Sequence, residues 1–177
     1  MTIDLAQLDA LRAYDTPPLA NALHGLTDRP ANRGYTHPPV QSVLPDVPPM
    51  VGTAVTVTIS SETPFPTRDG QATAMLPLYE AVAAVEGPKV VVVQDLDQGT
   101  GCLWGEVNAT LCAAMGCEGV VTDGLVRDLP DVEALGFRLL ARGVGVARAW
   151  VRVEATGVPV SVGGADIVPG DVVHADR

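Results

Sequence analysis

The chain has 177 residues, 47% of them hydrophobic but only 4% aromatic, with a formal net charge of −10. One domain of this length buries roughly 70% of its unfolded surface and needs no disulfide framework, so alanine, valine and leucine must pack the core. The low pI, about 4.5, and the lack of any Lys/Arg cluster argue against nucleic-acid binding, and no apolar run reaches the ~18 residues of a membrane span.

Asp4 is placed to cap a first helix running to about Tyr14, with Leu5, Leu8 and Leu11 as its apolar stripe. Thr16 followed by Pro17 opens a second helix that stops near Gly25. From Thr27 to Met50 the chain is rich in Pro, Asn and Gly and reads as an irregular arm. In VGTAVTVTIS, Val55, Val57 and Ile59 alternate with Thr56, Thr58 and Ser60, the pattern of a half-buried strand. Pro77 opens a helix carrying Leu78, Ala81, Val82 and Val85, and Gly87 ends it. KVVVVQD is continuously apolar, as in a strand covered on both faces. A helix from Glu106 to Gly116 follows, with Val107, Thr110, Leu111, Ala114 and Met115 on one face, and then the strand GVVTD. Strand, helix, strand in this order predicts a right-handed crossover between parallel strands. Beyond Gly136 come short valine-rich strands: RLLARG, AWVRVEA, PVSVGG and VVHAD.

Cys102, Cys112 and Cys117 form an odd set without a CxxC pair and read as buried, idle thiols. The polar start MTIDLAQLDALRAYD does not resemble a signal peptide, so a cytoplasmic location is expected. His24, His37 and His174 are scattered without metal-like spacing. Gly163-Gly164 reads as a turn, and the dinucleotide, P-loop and zinc-hydrolase signatures are absent.

Ligands of a βαβ unit bind beyond the carboxyl ends of its strands, where the crossover helix also begins. The first strand ends near Asp95, the helix begins near Glu106, and the second strand ends at Asp123, followed by DGLVRD. A ten-residue helix runs about 15 Å and the return strand runs back about as far. Glu106, Asp123, Arg127 and Asp128 are therefore expected to meet at one end of the sheet. Carboxylates suit Mg²⁺ or Mn²⁺. Arginine offers a planar fork to a carboxylate. The free N–H groups of the first helical turn, around Glu106, Val107 and Asn108, form a second anion cradle. Such a set suits a 2-oxo acid held by its carboxylate, with a metal on its keto oxygen. Structural readings of the same residues stand beside this one. Asp128 is a natural N-cap for LPDVEAL, Asp123-Gly124 a natural hairpin turn, Glu106 a complement to the helix dipole, and Arg127 a surface ion-pair partner.

The segment WGEVNATLCAAMGCEGVVTDGLVRD, Trp104 to Asp128, resembles the ribonuclease-regulator-like group (the RraA-like family) that includes 4-hydroxy-4-methyl-2-oxoglutarate aldolases. It carries Gly-Glu opening a helix, then Gly-Val-Val-x-Asp-Gly, then Arg-Asp, with the family's interval from Glu106 to Asp128. Weaker echoes are YDTPPLANAL, VGTAVTV, ALGF with ARG, and VPGDVVHAD. The resemblance implies one α/β domain over residues 1–177, a swivelling-type β/β/α arrangement with a central βαβ unit, N-terminal helices and short C-terminal strands. It further implies a homotrimer or dimer of trimers with sites at subunit interfaces; the short C-terminal strands, whose edges a monomer would have to protect, point the same way. By the same resemblance, Asp128 ligates a divalent metal (Mg²⁺ or Mn²⁺) and Arg127 holds the pyruvyl carboxylate. Gly105, Glu106, Val107 and Asn108 complete the substrate cradle, and Glu106 and Asp123 bind or orient metal waters.

The implied activity is retro-aldol cleavage of a small 2-oxo acid to pyruvate, with oxaloacetate decarboxylation as a side activity. Arg127, Glu106 and Asp123 are its catalytic residues. The alternative within the same family is a non-catalytic regulator that binds and inhibits a ribonuclease complex; the resemblance implies that such regulators lack the aspartate found here at Asp128. The family's aldolases usually extend further and send a carboxylate into the neighbouring subunit's site, whereas this sequence ends at Arg177.

Overall fold

A computed structural model describes residues 4–30, 32–67, 70 and 73–176. The first three residues and Arg177, on which the expectations about a leader and the C-terminal end fall, lie outside them. The elements in order are α1 (Leu5–Leu11), α2 (Thr16–Leu26), β1 (Gln41–Ser42), β2 (Met50–Ser60), α3 (Leu76–Ala83), β3 (Lys89–Asp95) and β4 (Cys102–Trp104). There follow α4 (Glu106–Ala114), β5 (Cys117–Thr122), β6 (Leu125–Val126), α5 (Leu129–Ala134), β7 (Arg138–Ala141) and β8 (Gly143–Val144). The chain closes with β9 (Arg152–Thr156), β10 (Val160–Val162), β11 (Ala165–Ile167) and β12 (Val172–Ala175).

The main sheet runs β1-β7-β5-β3-β2-β12, with β9 also paired to β2. Strands β7, β5, β3 and β2 are mutually parallel, while β1, β12 and β9 join antiparallel. β12 takes the first half of β2 and β9 the second, so the long strand β2 serves two neighbours on one edge. β4, β6 and β8 form a separate parallel sheet, and β10 and β11 form a hairpin. Gly163 and Gly164 turn that hairpin with φ of +56° and +79°, a conformation glycine adopts without strain.

Side chains on a strand alternate between faces, and β3 uses both. Val91 and Val93 join Val55, Val57 and Ile59 of β2 in a core closed by Leu78 and Val82 of α3 and Ala109 and Cys112 of α4. Val90 and Val92 join Ala54 and Val121 in a second core closed by Val160 and Val162 of the hairpin. The layers are therefore helices, sheet, and β-hairpin. Each fully buried valine or leucine contributes on the order of 1.5–3 kcal/mol, so the two valine-lined faces of the sheet supply most of what holds the layers together. Lys89, itself buried, donates from Nζ to the carbonyls of Val82 (3.2 Å) and Met115 (2.9 Å). One ammonium thus satisfies the last turns of α3 and α4, where the helix dipole favours a cation.

The capping box at α1 is present: Asp4 accepts from Ala6 N, and Gln7 Oε1 accepts from Asp4 N. Only Leu8 of the expected α1 stripe is buried, and Leu5 is exposed. Two further expectations change. β2 is buried along nearly its whole length, Thr56 included, because helices cover one face of the sheet and the β10–β11 hairpin covers the other. On α4 the buried residues are Ala109 and Cys112, whereas Val107 is 67% and Leu111 43% exposed. Small side chains let α4 lie close to the sheet, and the larger apolar stripe faces outward. The three cysteines are free and buried.

Candidate active site

The site is built by the small sheet. β4 and β6 are parallel, so the residues that follow each strand emerge at the same end. Gly105 follows β4 and begins α4; Arg127 and Asp128 follow β6 and begin α5. The ladder continues one step past the strands, with Arg127 N donating to Trp104 O at 3.0 Å. The two chain segments therefore meet through β4 and β6, and the ends of the main-sheet strands β3 and β5 serve another cluster.

Asp128 holds the N-cap position of α5 but does not cap it with its side chain. Its backbone is left-handed, φ +58° and ψ 39°, a conformation that aspartate tolerates better than most residues. The carboxylate turns instead to the neighbouring helix. Oδ2 accepts from the backbone N–H of Glu106 at 3.2 Å and lies 3.4 Å from Arg127 Nε. Asp128 thus supplies the negative charge that the N-terminus of α4 favours. Both contacts use Oδ2.

Gly105 makes this approach feasible. A Cβ there would lie 2.4 Å from Asp128 Oδ2 and 3.1 Å from Arg127 Cγ. The first turn of α4 is also held from behind. Tyr79 of α3 donates its hydroxyl to Asn108 Oδ1 at 2.8 Å, and Asn108 Nδ2 donates to Leu103 O at 3.2 Å. The side chain of Asn108 is therefore structural, and its contribution to a ligand would come through the backbone N–H of the first turn. Burial pushes the Tyr79 phenol up to about 12, so it remains a donor throughout the ordinary pH range.

A cleft of about 150 Å³ opens at this junction. It is lined by Gly105, Val107, Asn108, Arg127, Asp128 and Arg148, with Met75, Cys102, Leu103, Trp104, Ala149 and Val151 as its largely apolar remainder. Trp104 is buried and stacks on Phe137 with ring centroids 6.2 Å apart, a packing role. Glu106 lies at the helix start with its side chain exposed. The volume falls below the roughly 300–1,000 Å³ of pockets for drug-sized ligands, which suits a small acid better than a nucleotide.

Of the residues expected here, Gly105, Val107, Asn108, Arg127 and Asp128 line the cleft. Glu106 joins them through its backbone N–H to Asp128, and its exposed side chain is not part of the lining. Asp123 does not line the cleft. Its carboxylate accepts the backbone N–H of Asp95 at 2.8 Å, across the ends of β5 and β3. Asp95, 1% exposed, accepts in turn from Ser61 Oγ (2.8 Å), Asp97 N (3.2 Å) and Gly99 N (3.2 Å). Burial raises the pKa of Asp123, opposed mainly by its backbone hydrogen bonds. This network ties down the loop that leads into β4. The hairpin alternative for Asp123-Gly124 is excluded, since β6 pairs with β4 and β8 and not with β5. Tyr79 and Arg148 were not legible in the sequence as site residues: one is a helix residue among apolar neighbours, the other one of three arginines, Arg142, Arg148 and Arg152, in a valine-rich stretch.

The donor set fits a divalent cation bound together with substrate. Asp128 lines the cleft and offers a hard oxygen, Oδ1, outside the two contacts above. Glu106 stands at the same helix start with its side chain exposed. Mg²⁺ is commonly held by one or two carboxylates, with waters and substrate completing its shell. Among the described residues no group of three His, Cys, Asp or Glu surrounds a common point, so a closed structural metal site is not what these residues form.

A family model described as RraA-like, aldolase/RraA, matches residues 14–177. A protein of Halalkalibacterium halodurans, provisionally named a 4-hydroxy-4-methyl-2-oxoglutarate aldolase, is 30% identical over 176 residues, covering 97% of this chain and 74% of the relative. Among solved structures, Streptomyces coelicolor RraAS2, an unusual member of the RNase ES inhibitor RraA protein family, superposes with TM-score 0.74 at 25% identity, covering 98% of this chain and 82% of that one. The RNA-processing inhibitor RraA from Thermus thermophilus gives TM-score 0.66 at 20% identity, covering 92% and 88%. The mixed α/β architecture is that of these structures. With the family pattern of Trp104–Asp128 now seen as one folded junction, the chain belongs to the RraA-like family, which takes in both aldolases and RraA proteins.

Proposed function

We propose that this protein is a divalent-metal-dependent lyase that cleaves small 2-oxo dicarboxylic acids to pyruvate, with 4-hydroxy-4-methyl-2-oxoglutarate as the model substrate and oxaloacetate decarboxylation as a side activity. The observation that carries the reading is the meeting of Arg127, Asp128 and the N-terminus of α4 in one small cleft. The relative from Halalkalibacterium halodurans supports an aldolase, at the level of its name.

In this reading Asp128 holds the cation, which when bound would stabilise negative charge developing on the substrate's 2-oxo oxygen. Arg127 presents its terminal nitrogens to the adjacent carboxylate, its Nε remaining toward Asp128. The backbone N–H groups of the first turn of α4, at Val107 and Asn108, orient the same end of the substrate. The proton of the C4 hydroxyl passes through bridging water to Glu106, at the rim of the cleft, as the C3–C4 bond breaks and its electrons pass toward the 2-oxo group. Protonation at C3 then gives pyruvate and a carbonyl product. Asp123 acts on the site from outside the cleft, by holding Asp95 and the loop into β4.

We take residues 1–177 as one RraA-like domain that assembles as a trimer or a dimer of trimers. The second reading, a regulator of a ribonuclease complex, is favoured by the Streptomyces relative. It makes no use of a carboxylate turned into the cleft. The deciding assay is pyruvate release from oxaloacetate and from 4-hydroxy-4-methyl-2-oxoglutarate, with Mg²⁺ or Mn²⁺ and with chelator. Metal-dependent release supports the lyase; no release from either acid with either metal would overturn it.

A further inference from the structure

The cleft has a second arginine on a wall formed by a different part of the chain. Arg148 belongs to the segment between β8 and β9, and this segment is zipped to β4. Cys102 N donates to Ala147 O at 2.6 Å and Ala149 N donates to Cys102 O at 2.9 Å, so both neighbours of Arg148 are fixed to one residue. The approach is close enough that a Cβ on Gly101 would lie 2.7 Å from Ala149 Cα. Ala149 and Val151 are buried while Arg148 is exposed, the alternation that turns the arginine away from the core. Arg127 is held on the adjacent strand register by its backbone bond to Trp104 O. Arg127 and Arg148 thus line one cleft of about 150 Å³ from separate segments, each on backbone held by hydrogen bonds to β4.

Charge makes this arrangement selective. The chain carries −10 overall, so its general field repels anions, and any attraction must arise locally. Among the described residues lining the cleft, the charged ones are Arg127, Arg148 and Asp128. A monocarboxylate requires one guanidinium. An acid with a carboxylate at each end can engage both, and a guanidinium with five N–H donors keeps some for a ligand even when others are engaged.

We propose that Arg148 is the specificity-determining residue that receives the distal carboxylate of a dianionic 2-oxo acid, while Arg127 receives the carboxylate next to the keto group. This rests on the proposed 2-oxo acid site, but it concerns which acids bind and can be tested whether or not cleavage occurs. A charge-assisted hydrogen bond of this kind corresponds to about tenfold or more in affinity.

The test is calorimetric titration of 2-oxoglutarate, a dianion, and 2-oxobutanoate, a monoanion, into the wild-type chain, Arg148→Met and Arg148→Lys, with and without Mg²⁺. The wild type is expected to bind the dianion at least about tenfold more tightly. Arg148→Met is expected to abolish that preference while leaving monoanion affinity within about twofold, and Arg148→Lys to retain part of it. Thermal melting of each variant checks the fold. Equal affinity of the wild type for the two acids, no binding of either, or a preference that survives Arg148→Met would overturn the assignment. A parallel loss for both acids would also overturn it, by showing a general role in the cleft. In the cleavage assay the same split should appear in KM for oxaloacetate. Absence of turnover with the binding preference intact would remove the lyase and leave Arg148 in place.

Discussion

Asp128 Oδ2 accepts a hydrogen bond from the backbone N–H of Glu106, 22 positions earlier, at 3.2 Å. This contact lets one residue begin α5 with its backbone and complete α4 with its side chain. It also sharpens the test of a metal-ligand role. In Asp128→Asn the amide oxygen can still accept from Glu106 N, and asparagine is at least as tolerant of the left-handed backbone. The pair with Arg127, whose side chains are 36% and 33% exposed, contributes little. Stability in chelator is therefore expected to stay within about 1 kcal/mol of wild type. A hard dication loses its charged ligand, so metal-dependent thermal stabilisation and pyruvate release should both disappear. Retained metal-stimulated cleavage would remove Asp128 as the ligand.

Arg127 tests the carboxylate clamp separately. Lysine keeps the charge but not the planar fork, and it cannot hold both Asp128 Oδ2 and a ligand carboxylate in the geometry of a guanidinium. Arg127→Lys is expected to lower kcat/KM on oxaloacetate at least about tenfold, or ~1.4 kcal/mol of transition-state stabilisation. Unchanged kinetics would take Arg127 out of the site.

What was legible in the sequence divides along periodicity and packing. The continuous apolar run Lys89–Asp95 identified the central parallel strand, and the Gly-Glu and Arg-Asp pairs marked the cleft. The route by which those pairs meet was not legible. β4 and β6 are three and two residues long, too short for any alternation to register, yet their pairing delivers Gly105 and Arg127 to one place. Asp123 shows the same limit: its acidic character was plain, but a hydrogen bond to Asp95 N directs it to a neighbouring network. The α4 stripe failed for a different reason. Two apolar faces of one helix satisfy the helical period, and only packing against the sheet decides which is buried.

That outward stripe bears on assembly. α2 buries none of its residues, with Leu26 82% exposed, and Val107 and Leu111 extend an apolar face from the mouth of the cleft. Exposed apolar side chains on two helices are the kind of surface that a subunit interface covers. Light scattering at micromolar concentration is expected to give a mass of three or six chains of 18.4 kDa. A single-chain mass would rule out the trimer.

Tyr79 offers a test of how α4 is positioned. Its hydroxyl is the donor to Asn108 Oδ1, and Asn108 in turn holds Leu103 O. Tyr79→Phe leaves the partly buried amide oxygen without this donor, at a stability cost of about 1–2 kcal/mol. A looser first turn weakens the orientation of a bound carboxylate, so KM should rise several-fold with kcat changed less. Equal falls in kcat and kcat/KM with unchanged KM would point instead to a transition-state role.

The pH dependence of folding isolates Asp123 from the cleft. Burial raises its pKa above the ordinary 3.8, with a smaller contribution from Asp95. The folded chain therefore holds this proton more tightly than the unfolded chain. The resulting stabilisation is fully present below the unfolded value and is lost as pH rises through the higher folded value. Asp123→Asn has no charge to bury at any pH, and its amide oxygen can still accept from Asp95 N. Relative to wild type, the variant should therefore gain stability as pH rises from about 3.8 through the folded pKa, with the difference level beyond it. Urea denaturation of both chains between acid and neutral pH measures this difference. A difference that stays flat throughout would mean that Asp123 titrates alike in both states, and one that moves in wild type's favour would mean that its charged form is stabilised by a group this network does not contain.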